Sequence, residues 1–168
     1  IPADEAHLPP FDPDAEAVTY DGSHGYWHLE SHGLEPAFPF GFGLSYTGWE
    51  LGDLAVSEDA EGHTAEISVT NTGARRGTTV VQAYVRRPER PSARLVAFDR
   101  LELDPGETGA ARLRVDRSSI SLRRDGAWVS PRAWDLTVGL WAGDDRRAWS
   151  MAARPDGLAA DRDAGVGR

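Results

Sequence analysis

The 168-residue chain contains no cysteine, no lysine and no long apolar run. Without cysteine, disulfides and thiolate chemistry are excluded. No stretch approaches the roughly 20 apolar residues that a membrane-spanning helix needs. The 27 acidic residues outnumber 18 basic residues, all of them Arg, and leave a net charge of −9. We therefore expect neither nucleic acid nor an anionic membrane as a partner, because both attract positively charged proteins.

The charge is divided unevenly between two parts of the chain. Residues 1–74 carry 14 acids and no Arg, whereas residues 75–168 carry 13 acids and all 18 Arg. This division would allow the acidic part to dock on an Arg-rich face of this chain or of a partner. We give slightly more weight to solvated surface charge, because screened surface ion pairs contribute little to stability. The chain begins at Ile1, and we expect it to be a piece of a longer protein.

Alternation of apolar and polar side chains dominates residues 47–153. Within 133–141, for example, Trp134, Leu136 and Val138 alternate with polar residues, so Trp134 is expected in the core. Period-two alternation predicts half-buried antiparallel strands. The same pattern, weaker in the first and fourth segments, recurs at 51–56, 63–70, 79–85, 94–103 and 110–115.

Turn signals separate these strands. Asn71-Thr72-Gly73 follows one strand and Asp104-Pro105-Gly106 follows another, while Asp125-Gly126 is typical of a two-residue hairpin turn. About seven short strands without a helical stripe predict an all-β, immunoglobulin-like antiparallel β-sandwich. Residues 154–168 are almost devoid of apolar side chains and are predicted to be a disordered tail.

Residues 1–46 form an irregular segment without a sustained period. A loop of this length is unusual inside a compact domain, and its aromatic content argues against disorder. We therefore expect it to lie against another body. Its end, FPFGFGLSYT at residues 38–47, is too interrupted for a helix and too apolar for an exposed loop. We call this stretch the connector. The aromatic residues of the segment are Phe11, Tyr20, Tyr26, Trp27, Phe38, Phe40, Phe42 and Tyr46.

Four stretches, in chain order, resemble the C-terminal region of glycoside hydrolase family 3, which includes many bacterial β-glucosidases. They read TYDGSHGYWHLESHGLEPAFPFGFGLSYT, ISVTNTG, TTVVQAYVRRP and RLVAFDRLELDPGET. In that family a (β/α)8-type barrel precedes an α/β sandwich, and many members add a fibronectin type III-like domain. The resemblance implies that residues 1–46 are the end of the α/β sandwich with its linker, and that residues 47–153 are the fibronectin type III-like domain. Trp27 departs from the family, which often has Arg there.

The resemblance also implies what this chain lacks. Retaining glycosidases use two carboxylates about 5–5.5 Å apart, and the family places its nucleophile in the barrel and its acid/base usually in the α/β sandwich. Neither stretch is present. We expect a non-catalytic module, without cofactor, that packs on the upstream barrel and α/β sandwich domains. The side chains expected between the domains are Phe38, Phe40, Phe42, Leu44 and Tyr46.

Three histidines in the irregular segment are spaced four apart. On a helix, His24, His28 and His32 would share one face and could hold a metal. Three glycines among and beside them argue against a stable helix. We interpret the histidines as packing residues and expect no metal site.

A sugar site is an alternative for the aromatic cluster of Tyr20, Tyr26, Trp27 and His28, because aromatic faces stack on pyranose rings. Packing between domains is our preferred interpretation. The carboxylates of this segment could be taken for catalytic groups, but no two of them have a predicted common site. We interpret them as solvated charges; they are Asp21, Glu30 and Glu35.

A different class of function would be a free-standing carbohydrate-binding module. Trp128, Trp134, Trp141 and Trp149 would then form an exposed platform on the sandwich. Trp134 falls on the aliphatic face of its strand, whereas Trp141 falls on the opposite face and is the better surface candidate. We expect one exposed Trp to be insufficient for a platform, and rank this function second.

Overall fold

The computed structural model describes residues 2–8, 12–17 and 24–151. A 3-10 helix spans Glu5–His7. The helices are α1 (Tyr26–Ser31) and α2 (Arg117–Ile120). The strands are β1 (Trp49–Glu58), β2 (Gly62–Asn71), β3 (Gly77–Arg87), β4 (Arg90–Leu103), β5 (Thr108–Asp116), β6 (Leu122–Arg124), β7 (Ala127–Val129), β8 (Trp134–Gly139) and β9 (Arg147–Met151).

Two antiparallel sheets form a β-sandwich. One sheet has the order β1-β2-β5 and the other the order β4-β3-β8-β9. Strands β6 and β7 form a separate hairpin, whose turn residues Asp125 and Gly126 both have positive φ, at 50° and 83°. The predicted all-β sandwich and the Asp-Gly hairpin are therefore confirmed.

The core lies between the inner faces of the two sheets, where the alternation predicted it. Side chains that share a face along each strand are buried together, because period two places them on the same side of the sheet. Trp134 is 1% exposed, so its predicted core position is confirmed. The main buried positions are Ala65, Ile67 and Val69 of β2, Val81, Ala83 and Val85 of β3, Ala111, Leu113 and Val115 of β5, and Trp134, Leu136 and Val138 of β8.

A bulge interrupts β1 where it meets the other sheet. The register with β2 shifts between Leu51 and Leu54, and Gly52 leaves the space that the Ser68 side chain fills. The Arg147 guanidinium, on β9, donates to the Leu51 carbonyl at 2.6 Å and also to the Gly52 carbonyl. The edges of the two sheets are thus joined by one side chain.

Asn71 fastens the end of the connector to the sandwich. Its side chain is fully buried, and Nδ2 donates to the carbonyls of Leu103 at 3.0 Å and Arg75 at 2.8 Å. Its Oδ1 accepts hydrogen bonds from Thr47 Oγ1 and from the Gly73 backbone N–H. One amide group therefore joins the connector, the turn after β2 and the end of β4.

Helix α1, the single-turn helix α2, the 3-10 helix and strand β9 differ from the prediction. The glycines argued against a stable helix around the histidines, but α1 forms between Gly25 and Gly33. Its Leu29 is 4% exposed, so tertiary burial outweighs the poor intrinsic propensity. Strand β9 was also not predicted. The predicted tail at 154–168 lies outside the described residues, and within the described ranges none of the helices is long and apolar enough to cross a membrane.

Candidate functional site

A cleft of about 710 Å³ lies between α1, the connector and the outer face of the four-stranded sheet. Its volume is in the range of small-molecule sites. Helix α1 and the connector form one side, strands β3 and β4 the floor, and the turn after β8 the far side. The lining residues are Tyr26, Trp27, Glu30, Leu34, Glu35, Pro36, Pro39, Phe40, Tyr84, Arg86, Ala93, Arg94, Leu95, Trp141, Ala142 and Gly143.

Glu30 attaches α1 to the sandwich. Its Oε1 accepts a hydrogen bond from Arg86 Nη2 at 2.7 Å, and its Oε2 accepts one from the Ala93 backbone N–H at 2.9 Å. The interpretation of Glu30 as a solvated charge was therefore wrong: both oxygens of the carboxylate are engaged. Glu35 is exposed at the cleft, and Asp21 lies outside the described residues.

The backbone of the connector is bound to the sandwich. The Ala142 N–H donates to the Phe40 carbonyl at 2.8 Å. Gly41 has φ +81°, and a Cβ there would overlap the side chain of Gln82. Tyr26 Oη donates to the Phe38 carbonyl at 3.2 Å. Glycine is needed at position 41 because the backbone is left-handed and approaches β3 closely.

The floor of the cleft contains a buried polar pair. Tyr84 Oη donates to Gln82 Oε1, and Gln82 Nε2 donates to the Leu140 carbonyl at 3.3 Å. Burial raises the pKa of Tyr84 to about 12, with a smaller contribution from Tyr26. Tyr84 therefore stays neutral and keeps its proton for this hydrogen bond.

The turn after β8 presents Trp141 to the cleft. The buried Asp144 carboxylate accepts hydrogen bonds from Leu140 N–H at 3.0 Å and from Arg146 Nε at 2.6 Å. Burial alone would raise the pKa of Asp144, but these hydrogen bonds outweigh it and lower the pKa. The Arg146 guanidinium carbon lies 5.7 Å from the centre of the Trp141 ring, and Phe42 packs edge-on against that ring at 5.7 Å.

The structure brings together two of the four residues considered as an alternative sugar site. Tyr26 and Trp27 both line the cleft, whereas His28 lines a separate cavity of about 100 Å³ with Leu29. Tyr20 lies outside the described residues. Sequence reasoning thus identified two of the aromatic cleft residues on α1.

The apolar side chains of the connector are largely exposed, although its backbone is hydrogen-bonded to the sandwich. Leu44 and Tyr46 are 97% and 94% exposed, and Phe38, Phe40 and Phe42 are 40–56% exposed. Phe40 is the one of the five that lines the cleft. This contrast between a fixed backbone and exposed apolar side chains is the main surface feature of the segment.

The three histidines do not converge on one point. The rings of His28 and His32 have centroids 4.2 Å apart, whereas the His24 ring lies 6.4 Å from the Trp27 ring with the planes tilted by 60°. Among the described residues, no group of three or more His, Asp or Glu side chains is arranged to hold a metal ion.

The four tryptophans considered for a binding platform occupy separate environments. Trp128 is 69% exposed on the β6–β7 hairpin, and Trp134 is in the core. Trp149 packs on the core, with its ring centroid 5.1 Å from that of Trp134. Trp141 alone of the four lines the cleft, so the structure does not assemble them into one surface.

Several residues that shape the cleft were not identified from the sequence. Arg86 and Gln82 act through contacts with Glu30 and Leu140, 56 and 58 positions away, which composition does not reveal. The pair of Asp144 with Arg146 is local, but its role in the turn depends on the burial of Asp144. One feature of the sequence could have indicated that the outer face of β3 is covered. The outer face of β3 carries Gln82 and Tyr84, both nearly buried, and an outer face rich in large side chains indicates that something covers it.

Comparison with known proteins finds one matching domain family and matches to a part of several β-glucosidases. Residues 79–144 match the family described as fibronectin type III-like domain. A β-glucosidase of Rhizobium radiobacter is 47% identical over 98 residues, which are 54% of this chain and 12% of that protein. A probable β-glucosidase I of Neosartorya fischeri is 36% identical over 132 residues, 71% of this chain and 15% of that protein.

The comparison with solved structures also finds β-glucosidases. β-Glucosidase 3B of Thermotoga neapolitana, in complex with glucose, matches with a TM-score of 0.69 and 32% identity over 77% of this chain. The match covers 19% of the Thermotoga chain. The chain therefore spans less than a quarter of the length of these relatives.

Proposed function

We propose that this chain is a non-catalytic module of a larger glycosidase. The premise is that it belongs to the fibronectin type III-like C-terminal region of family 3 β-glucosidases. In this proposal it packs on the upstream barrel and α/β sandwich domains of the same enzyme and stabilises them. Residues 1–46 then belong to the end of the α/β sandwich and its linker, and residues 47–153 to the module itself.

The exposed connector is the observation that carries this proposal. Five apolar side chains on ten residues are 40–97% exposed, while hydrogen bonds from Ala142 and Tyr26 hold the backbone beneath them. Contiguous exposed apolar side chains mark interaction surfaces, and burying one large side chain contributes about 1.5–3 kcal/mol. The matched relatives are several times longer than this chain, and the rest of such a protein would supply the covering surface.

The test uses the parent enzyme carrying Leu44→Ser together with Tyr46→Ser. We expect its thermal inactivation midpoint to fall, because two side chains would no longer be buried between domains. A Phe98→Ser variant is the matched control, since Phe98 is 69% exposed on β4 and outside the connector. The double variant should leave the urea unfolding of the isolated chain nearly unchanged.

Equal midpoints for the double variant and the Phe98→Ser control would contradict the proposal. A loss of stability of the same size in the isolated chain would also contradict it, because the two side chains would then act within the module and not against other domains.

A further inference from the structure

Aromatic side chains that are more than 110 positions apart in the sequence line the same cleft. Tyr26 and Trp27 come from α1, and Trp141 comes from the turn after β8. Tyr26 and Trp27 are 38% and 39% exposed, so solvent reaches both rings. We propose that this cleft binds a neutral pyranoside sugar, with the aromatic side chains contacting the C–H faces of the ring.

The polar groups of the cleft suit the hydroxyl groups of such a ligand. Glu35 offers a carboxylate acceptor and Arg94 offers guanidinium donors, whereas Glu30 and Arg86 are already paired with each other. A sugar hydroxyl both donates and accepts, so it can use both kinds of group. Two carboxylates and two guanidinium groups leave the lining without net charge, which favours a neutral ligand over an anionic or cationic one.

The cleft is formed before a ligand arrives. The contact of Glu30 with Arg86 and Ala93 fixes α1, and the Ala142–Phe40 hydrogen bond fixes the connector. Asp144 orders the turn that carries Trp141. Binding therefore requires little ordering of the protein, and a preorganised site loses less affinity to conformational entropy.

The proposal differs from the docking function in the residues that it uses. Leu44 and Tyr46, the most exposed residues of the connector, do not line the cleft, and Phe40 is common to both surfaces. A sugar titration of the isolated chain contains no other domain, so its outcome does not depend on docking. The Leu44→Ser, Tyr46→Ser double variant should bind sugar as the unchanged chain does.

The experiment is a titration of the 15N-labelled 168-residue chain with cellobiose, followed through the indole N–H signals of its tryptophans. We expect saturable shifts for Trp27 and Trp141 and none for Trp128, which is exposed but outside the cleft. Trp27→Ala and Trp141→Ala should each weaken binding roughly three- to tenfold, the range of single aromatic contacts. Trp128→Ala should leave the affinity unchanged.

Absence of saturable shifts would overturn the proposal, and so would shifts of equal size at Trp128. Binding that survives both cleft variants would overturn it as well. The mapping on the unchanged chain needs no variant, so the result stands if Trp141→Ala fails to fold. If cellobiose produces no shift but a peptide from the upstream domains shifts Trp27 and Trp141, the cleft is a polypeptide site and the sugar proposal is wrong.

Discussion

The ring of His63 meets the ring of Trp134 edge-on, with centroids 4.9 Å apart and planes at 82°. His63 is 3% exposed, and within the described part of the chain neither of its ring nitrogens has a hydrogen-bond partner. Glu58 Oε2 lies 4.0 Å from its Nε2. The histidine is thus buried as a neutral ring at the end of the core.

This burial predicts a loss of stability in mild acid. Burial lowers the pKa of His63; Glu58 and Asp59 oppose the shift, while Arg117 and Arg114 add to it. Below about pH 6.5, the unfolded chain therefore binds a proton that the folded chain does not. The free energy of unfolding falls as pH decreases from about 6.5 towards the folded pKa, by at most about 1.4 kcal/mol per pH unit.

Urea unfolding at pH 7.5, 6.5 and 5.5 measures this effect, and His63→Phe is the comparison. The variant should lose less stability than the unchanged chain between pH 7.5 and 5.5. Parallel pH profiles for the two proteins would show that His63 is not the responsible group.

Two glycines of the connector should respond differently to the same substitution. Gly41→Ala places a Cβ against Gln82 in a left-handed backbone, which alone costs about 1–2 kcal/mol. A Cβ at Gly43 meets nothing within 4 Å. We expect Gly41→Ala to accelerate hydrogen exchange of the Ala142 amide, which donates to Phe40, and Gly43→Ala to leave it unchanged. Equal exchange in both variants would contradict the proposed attachment at Gly41.

Asn71→Ala should be among the most destabilising single changes in the chain. It removes the partners of the buried Leu103 carbonyl and of part-buried groups at Arg75, Gly73 and Thr47. Leaving a buried polar group unpaired costs about 1–3 kcal/mol. Because the surrounding structure can relax and water can reach the part-buried groups, we expect the free energy of unfolding in urea to fall by roughly 2–4 kcal/mol in total. Thr72→Ala, at the exposed neighbouring position, is the control. A similar small loss of unfolding free energy in both variants would refute the role of Asn71.

The isolated chain should not hydrolyse 4-nitrophenyl β-glucoside. Both oxygens of Glu30 accept hydrogen bonds from Arg86 and Ala93, and Asp21 lies outside the described residues. The control is a variant with Asp21, Glu30 and Glu35 all changed to Ala. Turnover that disappears in this variant would make the chain an enzyme in its own right, whereas turnover that persists would come from a contaminant.

Much of the sandwich follows from side-chain alternation. Strands β2, β3, β5 and β8 were predicted, and their apolar faces are the core faces, because a half-buried strand leaves a period-two pattern. Strand β9 leaves only a short signal, since it is five residues long, its inward-facing positions are only partly buried and one of them is Arg147. Helix α1 was missed for a related reason: its stability comes from contacts of Leu29 and Glu30 with distant residues.

The candidate site was only partly predictable. Tyr26 and Trp27 were assigned to packing between domains with a sugar site as the alternative, and Trp141 was the surface candidate. Nothing in the sequence places α1 beside the turn after β8. That proximity depends on the pairing of Glu30 with Arg86, 56 positions later, and on the turn ordered by Asp144. Contacts of this separation arise from the fold, not from local composition.

The bulge of β1 has a consequence for how copies of this chain behave towards one another. An edge strand normally offers backbone groups that a second chain can use to extend the sheet. Here the carbonyls of Leu51 and Gly52 are already engaged by Arg147, and the shift after Leu51 interrupts the regular ladder. The contact of Arg147 that joins the two sheets therefore also makes this edge a poor template for pairing with a strand of a second chain.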